Sequence, residues 1–372
     1  MWMALEFPDY MRAPFVATRA VGIAIPARNE AQLIEQCLRA LDVAASHAAP
    51  VPVNIMLLVN NSSDATAENA RSFVAKAMKL VVVERQLAAP FSHAGGARRA
   101  AFEALIAMLP DDAVIMTTDA DSVVDARWII ANLGEIAAGA DAVAGVVTFD
   151  DQARTRLPLL PGRALEWRLA GLQARLATLL DPRAHDPWPN HIWAWGASLA
   201  ITVDAYRRMG GVPAIPLAED RAMAEAIEQA DLRLRRSHAP VVYTSPRRAG
   251  RAPGGFADLL DAFATEAGAP CDAALEPTAD LVRRLRWRAR LRSAFATGGA
   301  RRALADAHTL EIDDVDANGF GDFWRQVEAS APRLARRRVS PTTLGVEVER
   351  AERVIKSLEE HPADSPSSVR HG

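Results

Sequence analysis

The stretch MTTDADSVVD, residues 116–125, sets two aspartates either side of one small residue directly after the apolar run AVIMTT. Carboxylates at that spacing offer hard oxygen ligands to a divalent cation such as Mg2+ or Mn2+. The same letters suit a helix start, because Asp and Ser oxygens accept the orphan N–H groups of a first turn. DSVVDARWIIANL therefore reads equally as a capped amphipathic helix. A DxD triplet is expected about once by chance in a chain this long, and a second one stands at Asp314-Val315-Asp316. Only the surroundings of the triplet give it meaning.

Those surroundings are a regular alternation. VGIAI (21–25), VPVNIMLLV (51–59), LVVV (80–83), AVIMTT (113–118) and DAVAGVVT (141–148) read as strands, and the stretches 30–43, 64–78, 95–108 and 125–138 carry apolar residues at helical spacing. Strands apolar throughout, separated by amphipathic helices, imply an α/β fold with a mostly parallel central sheet flanked by helices. Ligands on such sheets sit beyond the carboxyl ends of the strands. The loops there are PARNE (26–30), NNSSDAT (60–66) and DADS (119–122), which bring Arg, Asn, Glu and Asp to one sheet edge. Capping explains any one of these loops; it explains the set less well.

Composition narrows the class. The chain has 372 residues, is half apolar and carries a formal net charge of −3, which suffices for a substantial core and gives no reason to expect bulk nucleic-acid binding. Two cysteines, Cys37 and Cys271, show no pairing pattern and no Cys/His cluster, so neither a disulfide framework nor a zinc site is expected, and a reducing, cytoplasmic setting fits. The first residues lack a basic region followed by a long apolar core, and no run of about eighteen apolar residues predicts a membrane span. A dehydrogenase reading fails because PARNEA has no glycine-rich turn after the first strand.

Further along, RALEWRLAGLQARLATLL (163–180) reads as a helix and DPRAHDPWPN (181–190) as a loop. HIWAWGASLAITVDAYRRMGGV then runs a strand into a helix ending at Gly210-Gly211, a C-cap signal. LAEDRAMAEAIEQA starts a helix at Glu219-Asp220, where carboxylates suit the positive end of the helix dipole. LRLRRSHAPVVYTSPRR alternates as a strand pair would, and supplies Arg247 and Arg248, with Arg251 beyond, as residues able to clamp phosphates or simply mark an exposed loop. Residues 1–250 are expected to form one catalytic domain, 251–362 a mostly helical extension and 363–372 a disordered tail.

Six stretches in order carry a resemblance: VGIAIPARNEAQLIEQCLRAL, LLVNNSSDATAENAR, AGGARRAAFEAL, VIMTTDADSVVDARWI, WAWGASLAITVDAYRRMGGV and LAEDRAMAEAI. Together they resemble the family 2 glycosyltransferases, over roughly residues 20–250. That resemblance implies a GT-A type fold and transfer of a hexose from a nucleoside-diphosphate sugar to an acceptor hydroxyl. It implies that Asp121 ligates Mn2+ or Mg2+, with Asp119 on the ribose or on a metal-bound water and Ala120 between them. It sets Pro26, Ala27, Arg28, Asn29 and Glu30 against the nucleoside, with Asn60, Asn61 and Arg98 also on the donor and Arg99 beside them. Where the family usually has an acidic start to the second loop, this chain has Asn60-Asn61, which removes a negative charge and leaves the nucleotide open between UDP, the common choice, and GDP, as in GDP-mannose.

By the same resemblance Asp220, next to Glu219, is the base of an inverting transfer, taking the acceptor's proton as it attacks from the face opposite the diphosphate. Gly196 and Ala197 would let a sugar approach the backbone closely. Trp193 and Trp195, near Trp188, His185 and His191, can stack on an acceptor or fill a core edge. The acceptor itself is not legible. The arginine-rich segment 281–302 reads as a solvated basic helix, with a peripheral membrane surface or anionic acceptor as the other reading. Arg286-Trp287 faintly resembles a processive-synthase motif but lacks its glutamine, and DVDANG (314–319) resembles a calcium-loop start but has Arg325 at the twelfth place. The rival reading of the whole is a non-catalytic nucleotide-sugar-binding or partner-docking protein on the same scaffold.

Overall fold

Runs such as VGIAI, with no polar face to offer water, require a sheet covered on both sides. The strands are β1 (Val21–Ala27), β2 (Val53–Asn60), β3 (Lys79–Arg85), β4 (Val114–Thr117), β5 (Val123–Val124), β6 (Ala142–Thr148), β7 (Leu199–Thr202) and β8 (Leu234–Tyr243). They form one eight-stranded sheet in the order β3-β2-β1-β4-β7-β6-β8-β5. The helices are α1 (Ile34–His47), α2 (Thr66–Ser72), α3 (Ala94–Ile106), α4 (Trp128–Ala137), α5 (Asp151–Arg156), α6 (Gly162–Leu180), α7 (Val203–Arg208), α8 (Glu219–Gln229), α9 (Phe256–Thr265), α10 (Thr278–Ala296), α11 (Phe320–Ser330) and α12 (Leu344–Glu360). This is a computed structural model, and it describes residues 18, 20–156, 162–248, 250, 255–265, 269–299, 304, 315 and 317–361.

By compactness the chain divides into two units. The first comprises Met1–Pro158, Ala194–Ile227 and Leu232–Asp261; the second comprises Leu159–Trp193, Glu228–Asp231 and Ala262–Gly372. In the first unit β3, β2, β1 and β4 are mutually parallel, with Val21 opposite both Val53 and Val114. Their carboxyl ends therefore open on one edge, and the loops after β1, β2 and β4 are neighbours there, as the alternation of strands and helices predicts. Beyond β4 the sheet is mixed: β7 runs antiparallel to both β4 and β6, while β8 is parallel to β6. The core beneath the site edge comes from β1, β2, β4, α1 and α4, with Ile23, Ile25, Leu38, Leu57 and Trp128 fully buried.

Two sequence expectations need correction. HIWAWGASLAIT is not a strand throughout: β7 begins only at Leu199, and Ser198 N–H turns back to the Trp195 carbonyl at 3.0 Å. Before it, Gly196 has both backbone groups taken by side chains, as described below. Nor is LRLRRSHAPVVYTSPRR a strand pair. β8 is one strand that stays beside β6 along its length, with its irregularity between Arg236 and Val241, opposite Gly145. Ser237 Oγ accepts the Ala239 N–H at 3.1 Å there, and Pro240 has no N–H to leave unpaired.

In the second unit α12 places Leu344, Val348, Ala351, Ile355 and Leu358 on one face at helical spacing, buried with Leu169 and Leu176 of α6 and Leu285 of α10. A second cluster joins Leu291 of α10 to Phe320, Phe323, Trp324 and Val327 of α11. Val315 is buried in this cluster, whereas Asp314 and Asp316 of the second DxD triplet lie outside the described residues, as do Arg251 and residues 363–372. Among the described residues no helix is long and apolar enough to cross a membrane.

The crossing at Gly145 gives a stability test. A Cβ there would stand 2.3 Å from Ser198 Oγ and 2.5 Å from the Pro240 carbonyl oxygen, and the same Ser198 Oγ accepts the buried Trp128 Nε1–H at 3.0 Å. Gly145→Ala is therefore expected to lower unfolding free energy by about 1–3 kcal/mol, the usual range for overpacking, in a urea titration.

Candidate active site

Three loops meet at the carboxyl edge of β2, β1 and β4, and hydrogen bonds lock the first two together. Asn29, in the left-handed region at φ 55°, donates its N–H to Ser62 Oγ at 2.9 Å and accepts the Ser63 N–H at 2.8 Å. Asn tolerates that backbone better than most residues. Glu30 N–H donates to Thr66 Oγ1 at 2.8 Å and Ala31 N–H to Asp64 at 3.1 Å. Asn61 also adopts positive φ, 51°, and its amide is bonded both ways to the end of β3: Nδ2 donates to Gln86 and to the Leu87 carbonyl, and Oδ1 accepts the Leu87 N–H. Asn60 is buried, Pro26 half-buried, Ala27 buried and Arg28 exposed.

The centre of the edge is Arg98 on α3, only 3% exposed. Its Nη2 donates to Asp119 at 2.9 Å, its Nε to Glu219 at 3.3 Å, and its Nη1 to Thr117 Oγ1 at 2.5 Å and the Gly196 carbonyl at 2.8 Å. Burial alone would push this guanidinium down; the charges of Asp119 and then Glu219 overcome that and hold it above its usual range. Gly196 has no room for a side chain, because a Cβ would sit 2.5 Å from Arg98 Nη2. One arginine thus joins the DxD loop, the strand before it, the turn before β7 and the start of α8.

Asp220, next to Glu219, takes a different partner. Its Oδ2 accepts the Gly196 N–H at 3.0 Å and its Oδ1 the Arg221 N–H at 2.8 Å, and the side chain stays partly open. Ala218, directly before α8, is held at φ 58°. For a residue with a Cβ that is a costly backbone, of a kind that clusters where function fixes the geometry. Gly196 therefore binds Arg98 through its carbonyl and Asp220 through its N–H.

Asp121 faces the other way. Arg247, after β8, bonds both Glu30 oxygens, at 2.6 and 2.5 Å, and stands 2.9 Å from Asp121 Oδ2. Burial first, then the charge of Asp119, pushes the Asp121 carboxyl up to about 6; Arg247 pulls it back and Glu30 adds to the rise. The pocket edge holds more negative charge than Arg247 neutralises. Two such carboxylates match the hard oxygen chemistry of Mg2+ or Mn2+, so the residues fit a divalent cation. Among the described residues no group of three or more His, Cys, Asp or Glu side chains is disposed to hold a metal, so phosphate and water oxygens would have to complete its shell.

Of the remaining expected residues, Ala120 and Ala197 are buried and Trp195 is half-buried in the first unit. Trp193 belongs to the second unit, where it packs on Trp167 at 4.7 Å between ring centroids. Arg99 is bonded to Glu103 at 2.7 Å on the surface of α3. Thr117 is a site residue that the sequence pattern does not single out, whereas Arg247 reads there, with Arg248 and Arg251, as a phosphate clamp or an exposed-loop residue. The signal for Arg247 was only its place after a strand, and Thr117 looked like one more strand residue. Cys37 lies under the site with its Sγ 3.6 Å from the Asp119 carbonyl, and burial pushes its thiol far up, so it is inert.

Arg98 should behave as a structural charge whose loss strands two acids. Arg98→Met is expected to cost about 3–5 kcal/mol in a urea titration, as for removal of one partner from a buried ion pair. Arg98→Lys should recover only part of it, since an ammonium lacks the planar fork that reaches four acceptors.

No curated protein sequence matches the chain. Solved structures similar to it include glucosyl-3-phosphoglycerate synthase from Mycobacterium tuberculosis with Mg2+ and UDP, at 15% identity over 70% of this chain and 84% of that one, TM-score 0.42. The same enzyme with Mn2+, UDP-glucose and phosphoglyceric acid gives 16% identity over 71% and 82%, TM-score 0.42. A mannosyltransferase from Pyrobaculum calidifontis with GDP-Man and Mn2+ gives 16% identity over 96% and 81%, TM-score 0.40. The family model described as glycosyl transferase family 2 matches residues 22–191. That segment contains the loops after β1, β2 and β4 and Arg98 between them, so the match to the family 2 glycosyltransferase model covers the residues that Arg98 joins up to Asp119.

Proposed function

We propose that the protein transfers a sugar from a nucleoside-diphosphate sugar to an acceptor hydroxyl with inversion, using Asp220 as base. The observation that carries this reading is the bonding of Arg98 to both Asp119 and Glu219: it ties the DxD loop to the start of α8, and with it the neighbouring Asp220, from the two ends of a 100-residue stretch of sequence. A carboxylate acting as base must be aimed, and the Gly196 and Arg221 N–H groups fix both oxygens of Asp220 while leaving its side chain accessible.

On the donor side, Asp119 and Asp121 would hold the divalent cation. The chemistry such an ion supplies is neutralisation of the charge that grows on the diphosphate as the glycosidic bond breaks. Glu30, buried beside Arg247 in the loop after β1, and the Asn29 loop belong to the edge we assign to the nucleoside. Arg247 is the cation that now answers Glu30 and Asp121, and it is the residue we assign to the diphosphate, moving from carboxylates to phosphate oxygens. The amide of Asn61 is committed to β3, so its contribution to the nucleotide is to hold the loop's shape. The donor reading keeps UDP first and GDP-mannose second, and the acceptor open.

Two variants separate the roles. Asp220→Asn should lower kcat by about 10²–10⁴-fold, the usual worth of a positioned base, and leave nucleotide binding intact. Asp121→Ala should abolish transfer and also remove the Mn2+-dependent rise in melting temperature with UDP or GDP. That rise corresponds to about 2.7 kcal/mol when nucleotide stands at a hundred times its Kd. Full activity in either variant overturns its role, and no shift of the parent protein with any UDP or GDP conjugate, with or without Mn2+, overturns the nucleotide-sugar reading.

A further inference from the structure

A buried carboxylate in the second unit is surrounded by more positive charge than it can neutralise. Asp181, just after α6, has no exposed side-chain surface. Two arginines of α10 hold it: Arg288 through Nε on Oδ2, and Arg292 through Nη2 on Oδ2 at 2.6 Å and Nη1 on Oδ1. A third, Arg183, stands two residues beyond Asp181 with its Nε 4.0 Å from Oδ2, outside hydrogen-bond distance. The Nε groups of Arg183 and Arg292 are buried and meet no hydrogen-bond acceptor among the described residues.

The charges do not balance. Glu228 is the only other acid that acts on Arg183 and Arg292 among the causes of their shifts, and it does so through space. In contact terms, the single carboxylate of Asp181 faces three guanidinium groups. The nearby Arg284 brings no relief, because Glu276 takes it through both oxygens. Burial, then the charges of Arg288 and Arg292, pushes Arg183 down to about 10, which leaves it cationic near neutrality. A purely structural Asp–Arg network would finish with its donors used. Here the third guanidinium is held close to two others, unbonded, with 31% of its side chain open to solvent. Unsatisfied buried donors and a positive surplus at an accessible position are what an oxyanion with several acceptor oxygens corrects.

We propose that Arg183, backed by Arg288 and Arg292, is an oxyanion site that takes the phosphate group of a small molecule, either free phosphate or a phosphate monoester. Phosphate suits it better than a carboxylate because it brings up to two negative charges and more acceptor oxygens to guanidinium forks already fixed by Asp181. The site goes beyond the transfer chemistry and does not rest on it.

The test is a thermal-shift titration of the full chain with inorganic phosphate and, separately, glycerol phosphate, at constant ionic strength with EDTA present. The parent protein should melt at higher temperature with either probe, and a response to the monoester alone, to phosphate alone or to both identifies the source of the group. Arg183→Gln should bind at least tenfold more weakly, while Arg247→Gln responds as the parent does. Without phosphate, Arg183→Gln should melt no lower than the parent, since it removes an unbonded charge; a purely structural arginine would give a drop. If Arg183→Gln fails to fold, Arg183→Lys decides, with a weakened response expected. Equal responses in the parent and the Arg183 variants, loss of response in Arg247→Gln instead, or no response in the parent overturns the site.

Discussion

The site edge of the first unit depends on one buried charge. Taking a guanidinium out of water costs several kcal/mol unless every donor finds an acceptor and the charge finds an anion. Arg98 meets that demand with Asp119, Glu219, Thr117 and the Gly196 carbonyl, four groups from three separate stretches of the chain. None of those segments can shift without unpairing it. The position of the DxD loop, the absence of a side chain at residue 196 and the start of α8 are thereby fixed together, and Asp220 is aimed as a consequence, through the N–H of the same glycine.

A second cation works by the opposite logic. Arg247 is only partly buried, with 24% of its side chain exposed, and its partners Glu30 and Asp121 are two acids to its one charge. Burial and Asp119 raise Asp121 in spite of it. Arg98 is a strut whose bonds are complete, whereas Arg247 is a counter-ion in a place that still has negative charge to spare. Electrostatic surplus held by a rigid frame is the arrangement that binding chemistry uses, because the frame bears the cost of bringing like charges together before the ligand arrives.

The second unit shows that runs of arginine can mislead when read alone. The segment 281–302 looks like a basic surface, yet Arg283 and Arg284 are bonded to Asp280 and Glu276, and Arg288 and Arg292 to Asp181. Their partners lie within a few residues in two cases and more than a hundred residues away in the third, so only the near pairs were visible in the sequence. Arg286 and Arg290, on the same helix, remain exposed.

The sequence by itself determined the parallel part of the sheet: apolar runs separated by amphipathic helices call for parallel strands covered on both faces, and the loops after β1, β2 and β4 then open on one edge. Apart from Val21, four of the six ordered motifs fall within residues 22–191, the stretch that matches the family 2 glycosyltransferase model. What the sequence left open was decided by side chains meeting across long separations. Arg98 read as a donor contact on a helix face, and the structure buries it as a strut; Asn61 read as a base contact, and its amide is tied to Leu87. The turn at Gly196 read as strand, because local propensity does not register a guanidinium 98 residues away taking its carbonyl. Pattern reports which face of an element is apolar, and that is settled locally by contact with water. Which charge neutralises which is settled only when the chain has closed, since Coulomb attraction depends on distance in space and carries no trace in the spacing of residues.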